Sequence, residues 1–172
     1  MNVNYAKTIL YAYRNLDAIM RQLDELVVKK ALSSMNDLSP CETQCEKILS
    51  LTSQKDILID LKIKVGGVVE KFSDEEKDFL DYKYFKAKPK EYYANFDFSS
   101  RAYFRKQIRV ADKFARKIEK AGITDEYFKS ECLSIEFFRE LLKRVIEREN
   151  NFAKQKEPTT KEPVACVCEK SA

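Results

Sequence analysis

Three glycines and four prolines in 172 residues leave this chain few places to turn. A sheet needs a tight turn between most of its strands, and Gly and Pro supply those turns. Their scarcity predicts long helices. Abundant Lys, Glu, Leu, Ala and Arg point the same way. The length suits one large domain or two small ones with a buried core. The expected fold is all-α: an N-terminal long helical hairpin, then a helix-turn-helix unit, then C-terminal helices.

Composition narrows the chemistry. The chain has no His and no Trp. Without His there is no Ser-His or Cys-His nucleophile pair, and the commonest general base and metal ligand is missing. Gly66-Gly67 lacks the following Gly-Lys-Ser/Thr of a phosphate loop. Asp and Glu are plentiful but fall on solvated helix faces and in first turns. The expectation is therefore a protein that is not an enzyme and needs no cofactor. No apolar run approaches the roughly 20 residues that span a bilayer, so no membrane partner is expected. The segment Met1–Lys7 lacks a charged-then-apolar secretory pattern, which predicts a cytoplasmic protein. There the five cysteines, Cys41, Cys45, Cys132, Cys166 and Cys168, are expected as reduced thiols. Cys166-Val-Cys168 supplies two soft ligands where structural zinc usually takes four, so no metal site is expected. Cys41 and Cys45 share a helix face and read as core or seam positions.

Apolar spacing organises the chain. Ile9, Tyr13, Leu16, Met20, Leu23 and Val27 recur at spacings of 4, 3, 4, 3 and 4, which predicts one long helix over 3–30 with a coiled-coil-like seam. Residues 33–40 are turn-rich. A second helical region runs from about Cys41 to Lys71, with Leu58, Leu61, Val65 and Val68 on one face and interruptions expected near Thr52-Ser53 and Gly66-Gly67. Together these form a hairpin over 1–71, read as a dimerisation or partner-binding unit. Ser73-Asp74-Glu75-Glu76 is a capping box opening a helix that ends near Ala87, with Phe72, Phe79, Leu80, Tyr84 and Phe85 as its apolar face. Pro89 starts a short helix to about Asn95, followed by a turn at 95–98. Ser99 or Ser100 caps a long helix reaching Ala121, and Gly122 stops it. The unit over 72–122 is followed by C-terminal helices over 123–150. Of these, one runs from Asp125 to about Cys132. The other, from Ile135 to about Asn150, offers Phe137, Phe138, Leu141, Leu142 and Val145 to the core. Residues 151–172 show no periodicity and read as a disordered tail.

Charge singles out the middle of the chain. Net charge is +4, yet residues 83–120 carry 12 basic and 4 acidic side chains, while 1–82 carry 11 and 14. A basic stretch between mildly acidic flanks is the footprint of a polyanion-binding surface. In a helix-turn-helix, one helix lies in the major groove and the preceding one braces it. The groove helix needs an apolar face for its scaffold and a basic face for phosphates and base edges. On helix 99–121, Phe104, Ile108, Ala111, Ala115 and Ile118 form the expected buried stripe. Ser100, Arg101, Tyr103, Arg105, Lys106 and Arg109 are the expected reading contacts. Lys113 and Lys117 are expected on the backbone, with Lys88 and Lys90 as phosphate clamps at the start of the bracing helix.

Segment 73–120 resembles region 4 of sigma-70-family factors and related phage late-gene regulators. The residues that carry the likeness are Ser73-Asp74-Glu75-Glu76 with Phe79-Leu80 and Tyr82-Lys83-Tyr84-Phe85, then Tyr93, Ala94 and Phe96, then Ser100, Phe104, Ile108, Ala111 and Ala115. The resemblance implies a sequence-specific transcription regulator whose partners are double-stranded DNA and RNA polymerase. The seam over residues 9–27 offers a surface for a homodimer. The alternative is a helical protein-protein interaction or scaffold protein without nucleic-acid binding.

Overall fold

The computed structural model describes residues 1–33, 40–86 and 99–154. Every regular element among them is helical. Seven α-helices follow one another: α1 (Val3–Tyr13), α2 (Leu16–Ser33), α3 (Cys41–Val69), α4 (Asp74–Leu80), α5 (Ser100–Lys120), α6 (Asp125–Ser130) and α7 (Glu136–Lys154). A π-helical turn, Asp81–Phe85, extends α4, and a 3-10 turn, Cys132–Ser134, joins α6 to α7.

The expected single helix over 3–30 is two helices. After α1 the Asn15 amide bonds back to the Ala12 carbonyl at 2.8 Å, and the Asn15 carbonyl then receives the Ile19 amide that starts α2. The two helices have different surroundings. Ala6, Lys7, Thr8, Ile9, Leu10 and Ala12 of α1 are all buried, because α1 packs against α5, α7 and the π-turn at once. Only Leu16 and Leu23 of α2 are buried, since α2 leaves this core and lies along α3. Asp17 meets Lys62 at 2.5 Å and Asp24 meets Lys55 at 2.6 Å, so α2 and α3 run antiparallel. The N-terminal hairpin is thus α2 with α3. Of the seam expected to serve a second copy, Ile9, Leu16 and Leu23 are buried within the chain, and Tyr13, Met20 and Val27 are half-buried.

α3 runs unbroken through Thr52-Ser53, where the Thr52 hydroxyl donates to the Ile48 carbonyl, and through Gly66-Gly67. Leu58, Leu61, Val65 and Val68 are buried as the spacing predicts. Cys41 and Cys45 are not seam residues: both are exposed thiols, because this end of α3 reaches past the core. The Ser73–Glu76 capping box is formed. Ser99 caps α5 by accepting the Ala102 amide, and Gly122 ends it with φ near +90°, a conformation that favours glycine. Thr124 caps α6 through the Tyr127 amide. α6 is shorter than expected, and α7 runs on to Lys154.

One buried cluster draws on residues from Ala6 to Phe138, so the N-terminal and C-terminal halves share it. Phe79, Phe114, Phe128 and Phe138 are its largest fully buried side chains. The tail expected over 151–172 is helical in its first four residues, which continue α7; the expected bracing helix at 89–95, the turn at 95–98 and the rest of the tail, with Cys166 and Cys168, lie outside the described residues.

Candidate nucleic-acid interface

The phase of α5 decides which cations face outward. Val110, Ala111, Phe114, Ala115 and Ile118 are buried, and Tyr103 and Gln107 are half-buried. These positions recur three and four residues apart, so they form one inward face. The expected stripe is corrected at its N-terminal end. Phe104 is 38% exposed and Ile108 is 54% exposed. The face presented to the interior is rotated by about one residue, and Phe114 and Val110 fill the places that Phe104 and Ile108 were expected to take.

The rotation sorts the basic residues into two sets. Arg101, Arg105, Arg109, Arg116 and Lys120 are exposed. Arg105, Ile108, Arg109, Asp112 and Arg116 line a shallow groove of about 370 Å³ along the outer face. The Arg116 Nε also donates to the Asp112 carbonyl at 3.3 Å.

The lysines beside this face work inward. Lys113 Nζ donates to both carboxylate oxygens of Glu76, at 2.6 and 2.8 Å, and lies 5.1 Å from the Phe72 ring centroid. Lys117 Nζ donates to the Lys71 carbonyl at 2.9 Å and also lies over Phe72. Lys106 Nζ sits 5.7 Å from the Phe79 ring centroid. These three lysines fasten α5 to α4 and to the Lys71-Phe72 link before it, their stems covering apolar surface while the ammonium finds a carboxylate, a carbonyl or a ring face. Lys113 and Lys117, expected on DNA phosphate, are thus engaged within the protein. Partial burial opposes ionisation of Glu76, but the hydrogen bond from Lys113 and the Ser73 donors outweigh it and lower its pKa.

Tyr103, expected to read bases, packs instead. Its ring lies against Phe79, Tyr82 and Phe104 at centroid distances of 5.7, 6.3 and 5.6 Å, with Lys83 Nζ 5.3 Å from its centre. Burial, with Tyr82 beside it, pushes its phenol up to about 12. Ser100 begins α5, and its side chain is outside the described residues, as are Lys88 and Lys90. Of the ten expected contacts, Arg101, Arg105 and Arg109 are brought together on the open face. Arg116 belongs with them and was left out of the expected set, although its spacing of seven from Arg109 carried the signal.

No family model matches the chain, and no curated protein or solved structure matches it either. Among the described residues no helix is long and apolar enough to cross a membrane.

Proposed function

We propose that this chain is a sequence-specific DNA-binding regulator of transcription, cytoplasmic and sigma-region-4-like, that reads the major groove with the outward face of α5. The observation that carries the reading is the separation of faces on one helix. Arg101, Arg105, Arg109 and Arg116 are exposed on one side, while Val110, Phe114 and Ile118 are buried on the other. Arginine suits this role because its planar fork bonds guanine edges and phosphates in pairs. The inward lysines support the reading from the other side, since they hold α5 in a fixed orientation on α4. RNA polymerase would be reached through surfaces other than α5 once α5 is in the groove.

Selection of bound sequences from random duplex DNA tests the proposal. A recurring motif is the expected outcome, and a pool that stays random through successive rounds contradicts it.

One feature favours a second reading. Phe104 and Ile108 lie exposed among the arginines, and Asp112 interrupts the positive charge. A face of that makeup also suits an acidic, amphipathic helix of a partner protein, held by ion pairs around an apolar centre. Retention on duplex DNA that resists competition by an acidic polypeptide separates the two, because only a DNA reader gains from base contacts.

A further inference from the structure

A cleft lies away from α5, where α1, the π-turn and α7 meet. Its volume is about 340 Å³, within the range of small-molecule sites. Arg14 at the break between α1 and α2, Lys83 in the π-turn, Lys86 just after it and Arg148 of α7 all line it. No acidic residue lines it among the described residues. Glu149, next to Arg148 in α7, is held by Lys7 Nζ at 2.8 Å. Tyr11 and Leu141 supply an apolar wall, and the Arg148 guanidinium stands 5.9 Å from the Tyr11 ring centroid.

The second observation is a hydroxyl with nothing to bond. Tyr84 lines the cleft, is 3% exposed, and its buried oxygen has no hydrogen-bond partner among the described residues. A buried donor left unpaired is costly, and native proteins keep few of them. The Tyr11 ring meets Tyr84 edge-on at 4.8 Å and fixes its position. Two local features hold the neighbouring cations in place. The π-turn is a rare conformation, found mostly as single turns within α-helices and often at functional sites. Lys86 adopts φ 50°, ψ 42°, a left-handed conformation that costs a non-glycine residue energy.

We propose that this cleft binds the phosphate group of a small phosphorylated molecule, with Arg14, Arg148 and Lys86 on the phosphate oxygens, the Tyr84 hydroxyl, closed off from solvent in the free protein, donating to the same group once those side chains move onto it, and the organic part against Tyr11 and Leu141. Guanidinium forks match phosphate oxygens in pairs, and a buried hydroxyl supplies the neutral donor that a charge cluster lacks. A clustered positive charge with no lining carboxylate rejects metal cations and favours anions. No lining residue belongs to α5, so the site stands whether or not α5 reads DNA.

The test is thermal unfolding and calorimetric titration of the full chain with inorganic phosphate, pyrophosphate, ATP without divalent metal, and a short DNA duplex. At least one small phosphate should raise the melting temperature by several degrees and bind with a dissociation constant below about 10 mM. Two variants make the result specific. Tyr84→Phe removes the unpaired hydroxyl, so the free protein should melt at or above the wild-type temperature while affinity falls about tenfold. Lys86→Gly relieves the left-handed backbone and removes a cation, so it should show the same opposition of stability and affinity. A merely structural Tyr84 would lower stability when cut and leave affinity alone. If no small phosphate binds, or binding is unchanged in Arg14→Ser and Tyr84→Phe, the proposal is overturned. If only the duplex binds and Arg14→Ser weakens it, the cations belong to a DNA backbone contact and the proposal is equally overturned.

Discussion

The Lys113 ammonium bonds both carboxylate oxygens of Glu76, at 2.6 and 2.8 Å, and so joins the middle of α5 to the first turn of α4. The pair fastens the helix in the roll that core packing sets, and the roll decides which arginines reach solvent. Removing one partner leaves the other half-buried without its counter-charge. Lys113→Ala should therefore destabilise the fold by about 1–3 kcal/mol, read by denaturant unfolding at pH 7. The interaction has a pH sign. Glu76 has its pKa lowered from 4.5, so near that pH the folded protein binds fewer protons than the unfolded chain. Its stabilisation is full above the ordinary carboxylate value and is lost as pH falls through the lowered one. The stability gap between wild type and Glu76→Gln should therefore close as pH drops from 6 to 3. A gap that widens on acidification would contradict the assignment.

The rotated face of α5 makes a contrast between two of its apolar side chains. Phe114 is fully buried, and its truncation to Ala should cost about 3–5 kcal/mol. Ile108 is exposed, and Ile108→Ala should stay within about 0.5 kcal/mol of wild type. Equal losses at the two positions, measured by urea unfolding, would put the helix in the other phase.

The internal closure of the N-terminal seam predicts that mutating it changes stability and not assembly. Leu23 packs between α2 and α3. Leu23→Ala should cost about 2–4 kcal/mol while the sedimentation coefficient of the folded protein stays the same. A dimer that falls apart in this variant would place the seam between two copies.

Thiol chemistry separates the described cysteines. Cys41 and Cys45 are exposed, whereas Cys132 is buried and its thiol is pushed up to about 12 by burial, with Glu131 and Asp60 adding to the rise. In a variant with Cys166→Ser and Cys168→Ser, a thiol reagent at pH 8 should label two groups in the native protein. The third should appear only on unfolding, since thiolates react and buried thiols do not ionise. Three fast-reacting groups would contradict the burial of Cys132.

Local signals in the sequence identify helix ends well, and less local ones identify faces and clefts poorly. The Ser73–Glu76 box, the Ser99 cap and the Gly122 stop are each written within a few consecutive residues, and each is where the spacing places it. The break after Tyr13 is not legible, because Ile9, Tyr13, Leu16 and Met20 keep a helical rhythm across it. What separates α1 from α2 is that one is surrounded by α5, α7 and the π-turn while the other packs chiefly on α3. The phase of α5 is ambiguous in sequence because apolar residues occupy two faces: Phe104 and Ile108 on one, Val110 and Phe114 on the other. Only packing against α1 and α3 chooses between them. The cleft is invisible to any spacing rule, since Arg14, Lys86 and Arg148 are brought together by tertiary contacts across most of the chain.

The proposed DNA binding rests on the outward arginines of α5. Fluorescence anisotropy on a duplex from the selected pool, with wild type and the Arg105→Glu, Arg109→Glu double variant over a range of salt, tests it most directly. Both residues are exposed, so the variant should fold. Wild-type affinity should fall steeply with salt, and the double variant should bind at least about thirtyfold more weakly, with a shallower salt dependence. A double variant that binds as tightly as wild type, or a wild-type affinity indifferent to salt, would show that these arginines do not hold DNA.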